Sequence, residues 1–314
     1  MDKRILGKTA MPVTPVGMGT RAIGPLQLAS SLVSGARLIS YALEQGVNFI
    51  ETCEDKITYG YVRRALEELG PSLAQGSIPR PVVAGKSLAR DYEGTRRAIE
   101  DCRAALNIDQ IDIFLLQDVA QPQDFGDRAA AWACLQDAKA KGVIRAAGIS
   151  TRSAEAAIDA AKASELDALF AGVNHLNIKK GMASAICAAA ENGAGVIATE
   201  VFGDGSAQDY IPALDYATGL SGVQSVVIDF GFKTDVDDAV AYFEGRLPKN
   251  YTPSVFQKRM FVDRAKCTGC GACVRYCTSA VFSRGDDGIE IDYESCVRCG
   301  FCLYVCPRDA LMFL

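Results

Sequence analysis

Eight of the twelve cysteines in this 314-residue chain fall into two runs of one spacing near its end. The first is Cys267-x2-Cys270-x2-Cys273-x3-Cys277, and eighteen residues later comes Cys296-x2-Cys299-x2-Cys302-x3-Cys306, followed by Pro307. Iron–sulfur cubes of the [4Fe–4S] type are held by four thiolates. The x2 spacing lets three cysteines turn round one cube while the fourth of each run reaches the other. The spacing therefore predicts one cluster on Cys267, Cys270, Cys273 and Cys306, and a second on Cys296, Cys299, Cys302 and Cys277. Zinc sites usually come as two CxxC pairs or include histidine, and the only histidine, His175, lies far away in sequence. A disulfide framework requires an oxidising compartment, and the opening residues 1–7 carry no signal-peptide pattern. The first run ends Cys277-Thr278-Ser279 without the proline that follows Cys306, so different surroundings are expected at Cys277.

The elements that hold these thiolates are short. Ala280-Val281-Phe282 and Ile289-Glu290-Ile291 flank Gly285-Asp286-Asp287-Gly288, which reads as a small hairpin between the runs. On these motifs, a stretch of about fifty residues resembles a bacterial two-cluster ferredoxin.

The remaining part of the chain is long enough for a sizeable core of its own. Its composition is that of a globular protein, with 49% apolar and 23% charged residues. A net charge of −5 gives no reason to expect nucleic acid or an anionic membrane as partner. No uncharged apolar run reaches the roughly 18 residues that suggest a spanning helix. The four cysteines outside the runs, Cys53, Cys102, Cys134 and Cys187, are dispersed and read as small buried apolar residues of a reduced, cytoplasmic protein.

From the N-terminus, apolar β-rich runs alternate with helical stretches. The expected strands are 16–20, 48–53, 82–87, 111–117, 146–150, 169–174, 195–201 and 225–230. The expected helices include 34–44, 92–106, 128–141, 154–163, 182–191 and 235–243. Eight βα units in this length define a (β/α)8 TIM barrel. An open doubly wound sheet binding a dinucleotide would want Gly-x-Gly-x-x-Gly after its first strand, and Gly17-Met18-Gly19-Thr20-Arg21-Ala22 lacks the last glycine. The expected organisation is an α/β barrel over 1–245, a proline-containing connection over 246–260, and a small α+β two-cluster domain over 261–314.

Barrel chemistry sits at the C-terminal ends of the strands. Those ends present Thr20, Glu51, Lys86, Gln117, Ser150, Asn174, Glu200 and Asp229. Several stretches here resemble the aldo-keto reductase family: Arg4-Ile5-Leu6-Gly7-Lys8-Thr9, Pro15-Val16-Gly17-Met18-Gly19-Thr20, Gly46-Val47-Asn48-Phe49-Ile50-Glu51-Thr52, Ile111-Asp112-Ile113-Phe114-Leu115-Leu116 and Gly195-Val196-Ile197-Ala198. The resemblance runs from about residue 4 to 243, and members with a ferredoxin-like tail form a recognisable branch. It implies carbonyl reduction with NADPH by an Asp, Tyr, Lys and His tetrad. Three of the four positions depart from it: Glu51 replaces the aspartate, Lys56 the tyrosine and Gln117 the histidine, while Lys86 matches. Tyr59-Gly60 echoes the family's Tyr-Gly pair three residues late, so a rearranged loop would be needed to bring Tyr59 to the pocket. Asp229 stands where a glycine near the 2′-phosphate is expected, and a carboxylate there repels phosphate, which weakens NADPH binding.

Two lysines and a glutamate round one barrel mouth can tune each other's protonation, and serve as a general acid or hold an anion. An internally neutralised ion-pair network is the structural alternative. The catalytic candidates are thus Glu51, Lys56, Lys86 and Gln117. The function expected is an iron–sulfur oxidoreductase whose two [4Fe–4S] clusters exchange electrons with a small-molecule substrate at the barrel mouth. One alternative is an electron-transfer or docking protein whose inactive barrel binds a partner redox enzyme. Another is an NADPH-dependent carbonyl reductase. The partners expected are a small-molecule substrate and a redox protein such as a ferredoxin, a flavoprotein or another reductase.

Overall fold

The computed structural model describes residues 1–20, 32–52, 56–176, 181–202, 209–251, 260–277, 280–285, 288–293, 295–296, 302, 305–308 and 310–313. Eight parallel strands close into a barrel: β3 (Val16–Gly19), β4 (Phe49–Glu51), β5 (Val82–Ser87), β6 (Ile111–Leu116), β7 (Ile144–Thr151), β8 (Ala168–Gly172), β9 (Gly195–Thr199) and β10 (Val223–Asp229). Each strand pairs with its sequence neighbours, and β10 returns to β3 with Asp229 opposite Gly19. All eight expected strands are present. Most end one or two residues short of their sequence-based limits, and β7 starts two residues early.

The period-2 alternation of the strands separates two apolar layers. Phe49, Val82, Ala84, Ile113, Leu115, Ala146, Ala168, Phe170, Ile197 and Val227 fill the lumen. Leu6, Met11 and Val13 join them from the N-terminal hairpin, β1 (Arg4–Ile5) against β2 (Pro12–Val13). The opposite parity, including Ile50, Phe114, Leu116, Ile149 and Leu169, packs against the surrounding helices. At Gly17, an added Cβ would lie 2.2 Å from the Phe49 ring, so only glycine leaves room for that lumen side chain. A fully buried carboxylate, Asp112, ties the N-terminal end of β6 to its neighbours. It accepts from Val83 N at 2.9 Å and from Arg80 and Arg145 at 2.8 Å each.

The helices follow from local signals. Asp91 accepts from Gly94 N at 2.7 Å and opens Tyr92–Leu106, which Asn107 closes in a left-handed conformation. Ser153 caps Ala154–Ala160 in the same manner. Helices Lys56–Glu68, Gly70–Ala74, Pro122–Asp127 and Tyr210–Gly219 add to those expected from the sequence.

In the C-terminal unit, β12 (Phe282–Gly285) and β13 (Gly288–Ile291) form the expected antiparallel hairpin. β11 (Met260–Val262) pairs antiparallel with β14 (Leu311–Phe313), bringing the two ends of the unit side by side. Its small core comprises Met260, Val262, Cys273, Val281, Phe282, Ile289, Cys302 and Leu311.

Candidate active site and cluster site

The alternation that fills the lumen also selects the side chains above it. Continuing each inward register by two residues leads from Phe49 to Glu51, from Ala84 to Lys86, from Leu115 to Gln117 and from Val227 to Asp229. Lys86 Nζ donates to Glu51 Oε1 at 2.8 Å. The two side chains are 15% and 12% exposed, so the pair is well enclosed. Gln117 Oε1 is buried and accepts no hydrogen bond among the described residues. The carboxylate of Asp229 occupies the space above Gly19, where an added Cβ would lie 2.3 Å from Oδ1. Three of the four catalytic candidates thus share the inward parity of adjacent strands. The fourth, Lys56, is the first residue of the helix Lys56–Glu68, and its side chain lies outside the described residues.

Tyr59 does not join this group. It is 3% exposed and lies in the layer between barrel and helices, hydrogen-bonded to Cys102. Burial pushes the Cys102 thiol up to about 12, with the Tyr59 hydrogen bond opposing that rise. The helix Lys56–Glu68 fixes the position of Tyr59, so no loop is available to swing it into the mouth. Cys134 is also buried, as expected. Cys187 is only half-buried, 3.4 Å from Glu191, which corrects its reading as a core residue. Cys53 lies outside the described residues.

Several groups at the same rim were not singled out by the sequence. Arg128 is 1% exposed, and its guanidinium donates to the carbonyls of Ser87 and Ala89 on one loop and Gln117 on the next. It ties the C-terminal end of β5, next to Lys86, and the loop after it to Gln117 just past β6. Arg152, just past β7, pairs with Glu200 and lies 3.7 Å from Asp118. Both acids adopt left-handed backbones, at φ 56° and 53°, a strain that clusters at functional loops. His175 follows β8 with both ring nitrogens buried and without hydrogen-bond partners among the described residues, its Nε2 3.9 Å from Asp209. Its place directly after Asn174 was the one available signal.

In the C-terminal unit, Cys267, Cys270, Cys273 and Cys306 line a single cavity together with Val262, Ile289 and Leu311. The cavity holds about 340 Å³ of empty space, part of it open to solvent. These are the four cysteines that the spacing assigned to one cluster, with Cys306 arriving from the second run. Ala310 N donates to Cys306 Sγ at 3.3 Å, the kind of contact that stabilises a thiolate. Four cysteines round one apolar cavity suit an iron–sulfur cube. Cys277, Cys296 and Cys302 belong to the same small core; Cys299 lies outside the described residues.

A closed eightfold barrel with an ionic mouth, joined to a thiolate-lined ferredoxin-like unit, defines a two-part redox protein. The family model for the aldo/keto reductase family matches residues 15–243, and that for the 4Fe-4S dicluster domain matches residues 257–310. The chain belongs to the aldo/keto reductase family and carries a 4Fe-4S dicluster domain behind the barrel. It is similar to D-threo-aldose 1-dehydrogenase of a Pseudomonas species, at 28% identity over 36% of this chain and 35% of that protein. Its tail is similar to pyruvate synthase subunit PorD of Methanothermobacter marburgensis, at 36% identity over 21% of this chain and 79% of that protein. The chain spans only 35% and 47% of the lengths of two of the curated relatives it matches. Among solved structures, an aldo-keto reductase of Bacillus halodurans in its holo form superposes with a TM-score of 0.65 at 17% identity, over 79% of this chain and 92% of that one. A Bombyx mori aldo-keto reductase in complex with NADP gives 0.63 at 18% identity, over 79% and 90%. At these identities the structures show the fold alone.

Proposed function

We propose that the protein passes electrons singly between its two [4Fe–4S] clusters and a small molecule bound at the barrel mouth. The enclosed Glu51–Lys86 ion pair carries this reading. Such a pair is costly to bury, and it sits on the lumen register where barrel chemistry is done. The bound clusters supply one electron at a time. Lys86 presents an ammonium to an oxygen of the substrate, and Glu51 fixes its position. The buried Gln117 Oε1 accepts from a substrate donor, which completes its own hydrogen bonding. Lys56 lies at the start of the adjacent helix and would add a second cation. Arg128 keeps the two loops in place.

We assign Cys267, Cys270, Cys273 and Cys306 to one cluster and Cys277, Cys296, Cys299 and Cys302 to the other. The domain limits that go with this reading are 1–245 and 261–314, joined by 246–260. No helix among the described residues is long and apolar enough to cross a membrane, and Cys102 and Cys134 are free thiols. Both suit the reducing cytoplasm that we propose.

The test is anaerobic. The chain is reduced with dithionite, freed of excess reductant, and mixed with a panel of small carbonyl, hydroxy-acid and unsaturated-acid compounds. Reoxidation of the clusters that depends on one of these compounds supports the reading. Reoxidation that occurs only with a partner protein supports the second reading, an electron carrier with an inactive barrel. The likeness of the tail to a pyruvate synthase subunit favours that alternative.

A further inference from the structure

On the β12–β13 hairpin, strand alternation puts residues 282, 284, 289 and 291 on one face. Three of these are apolar, and Phe282 and Ile289 belong to the small core of the unit. The fourth is Arg284. It stands directly opposite Ile289, which lines the cavity of Cys267, Cys270, Cys273 and Cys306. A cation on the apolar face of a short hairpin calls for a physical reason.

The Arg284 guanidinium rests on the turn between Cys270 and Cys273. Its Nη2 donates to Cys270 O at 3.4 Å. A Cβ added at Gly271 would meet Nη2, Nε and Cζ at 2.4, 3.0 and 3.1 Å, so the whole head group lies against that residue. Only glycine permits this approach, and its φ of 73° is a left-handed backbone that glycine adopts freely. Arg308 arrives from the second run and lines the same cavity. An arginine at a hairpin end is most often a plain surface residue. Here one arginine lies on the backbone of Cys270, an exposed cysteine assigned to the first cluster, and the other borders its cavity.

Net charge, hydrogen bonding and solvent exposure round the sulfurs set the potential of a [4Fe–4S] cluster. Reduction adds one negative charge within the thiolate cage, and a fixed cation nearby favours that state. We propose that Arg284, with Arg308 in support, sets the reduction potential of the first cluster. The two cations raise it, so the cluster holds an electron more firmly than its four thiolates alone allow. The step balances simply: a donor loses one electron and the cluster gains it, with no bond made or broken. The effect is the difference that one cation makes, so it adds to whatever field the other charges of the unit produce. The proposal rests on the cluster assignment made above and not on any chemistry in the barrel.

The test is an anaerobic redox titration of the full chain with dithionite, followed by EPR, without a barrel substrate. Iron and sulfide are counted first. Unaltered protein without two clusters overturns the cluster assignment and this proposal with it. Arg284→Gln should move one of the two one-electron steps to lower potential and leave the other nearly in place. At a fixed potential, the reduced-to-oxidised ratio of that cluster should fall on the order of tenfold, about 59 mV for one electron. Arg284→Lys keeps the charge and should recover most of the shift. Arg308→Gln should move the same step in the same direction by less, and it decides the matter if Arg284→Gln loses iron. Both arginines are exposed, so raising salt from about 0.05 to 0.5 M should shrink the gap between variant and unaltered protein. Intact clusters with both steps unmoved in the Gln variants, or lowered equally, overturn the proposal alone. So does an Arg284→Lys step as low as that of Arg284→Gln.

Discussion

Lys86 Nζ stands 2.8 Å from Glu51 Oε1, on neighbouring strands whose registers both point into the barrel mouth. Removing one partner of such an enclosed pair leaves the other charge uncompensated, whereas removing both does not. Lys86→Met should therefore lower both the melting temperature and substrate-dependent turnover. The loss in turnover should be on the order of a hundredfold. Combining it with Glu51→Gln should restore much of the stability and none of the turnover. Thermal unfolding and cluster reoxidation, measured on both variants at constant iron content, check this. Undiminished electron flux through Lys86→Met would assign the barrel a docking role only.

Asp229 governs the nicotinamide question. Its carboxylate fills the space above Gly19, at the position where the family resemblance implies a glycine near phosphate. NADPH should bind at least roughly tenfold more weakly than at an intact site, a difference of about 1.4 kcal/mol. Asp229→Gly should tighten it. Titration followed by quenching of the sole tryptophan, Trp132, gives both constants. Low-micromolar binding to the unaltered chain would restore carbonyl reduction as the leading activity.

Metal content tests the cysteine assignment. Anaerobically purified protein should carry about eight irons and eight acid-labile sulfides, and reduced protein should show two interacting spins by EPR. Cys273→Ala should lose the first cluster. Because Cys306 lies in the same cavity, Cys306→Ala should lose that same cluster rather than the second. Two different spectra from these variants would show that the runs do not exchange their fourth cysteines.

Alkaline pH should destabilise the barrel through identifiable groups. Burial raises the Cys102 thiol from 9.0 to about 12. Burial, and then the hydrogen bond to Asp238, raises the Tyr251 phenol from 10.0 to about 12. The folded state holds these protons more tightly, so the stabilisation is complete below the unfolded values and is lost as pH rises between about 9 and 12. Tyr251→Phe should make the fall in melting temperature above pH 10 shallower. An unchanged slope would exclude Tyr251 as a contributor.

The barrel was legible from eight β-rich runs alternating with helical stretches, and the C-terminal ends of those runs, with the family resemblance, singled out Glu51, Lys86 and Gln117. β7 was read two residues short because Ile144-Arg145 looks like the end of a turn. In the fold, Arg145 faces outward to Asp112 while Ile144 is buried. Arg128 was not legible as a functional support. A cation ahead of an alanine-rich helix reads as surface, and its acceptors are backbone carbonyls 11 to 41 residues away, which leave no mark on side-chain identity. Tyr59 could reach the pocket only through a rearranged loop, and the structure instead holds it in the helix Lys56–Glu68, hydrogen-bonded to Cys102.

The pairing of β11 with β14 has an evolutionary consequence. A unit whose first and last strands lie together as Met260↔Phe313 and Val262↔Leu311 presents both of its ends at one spot. Such a cassette can be joined to a host by a single peptide bond, with neither end pulled across its own metal centre. Grafted behind an unrelated carrier, residues 257–314 should assemble clusters unaided, so the tail and the barrel mouth are free to diverge at independent rates.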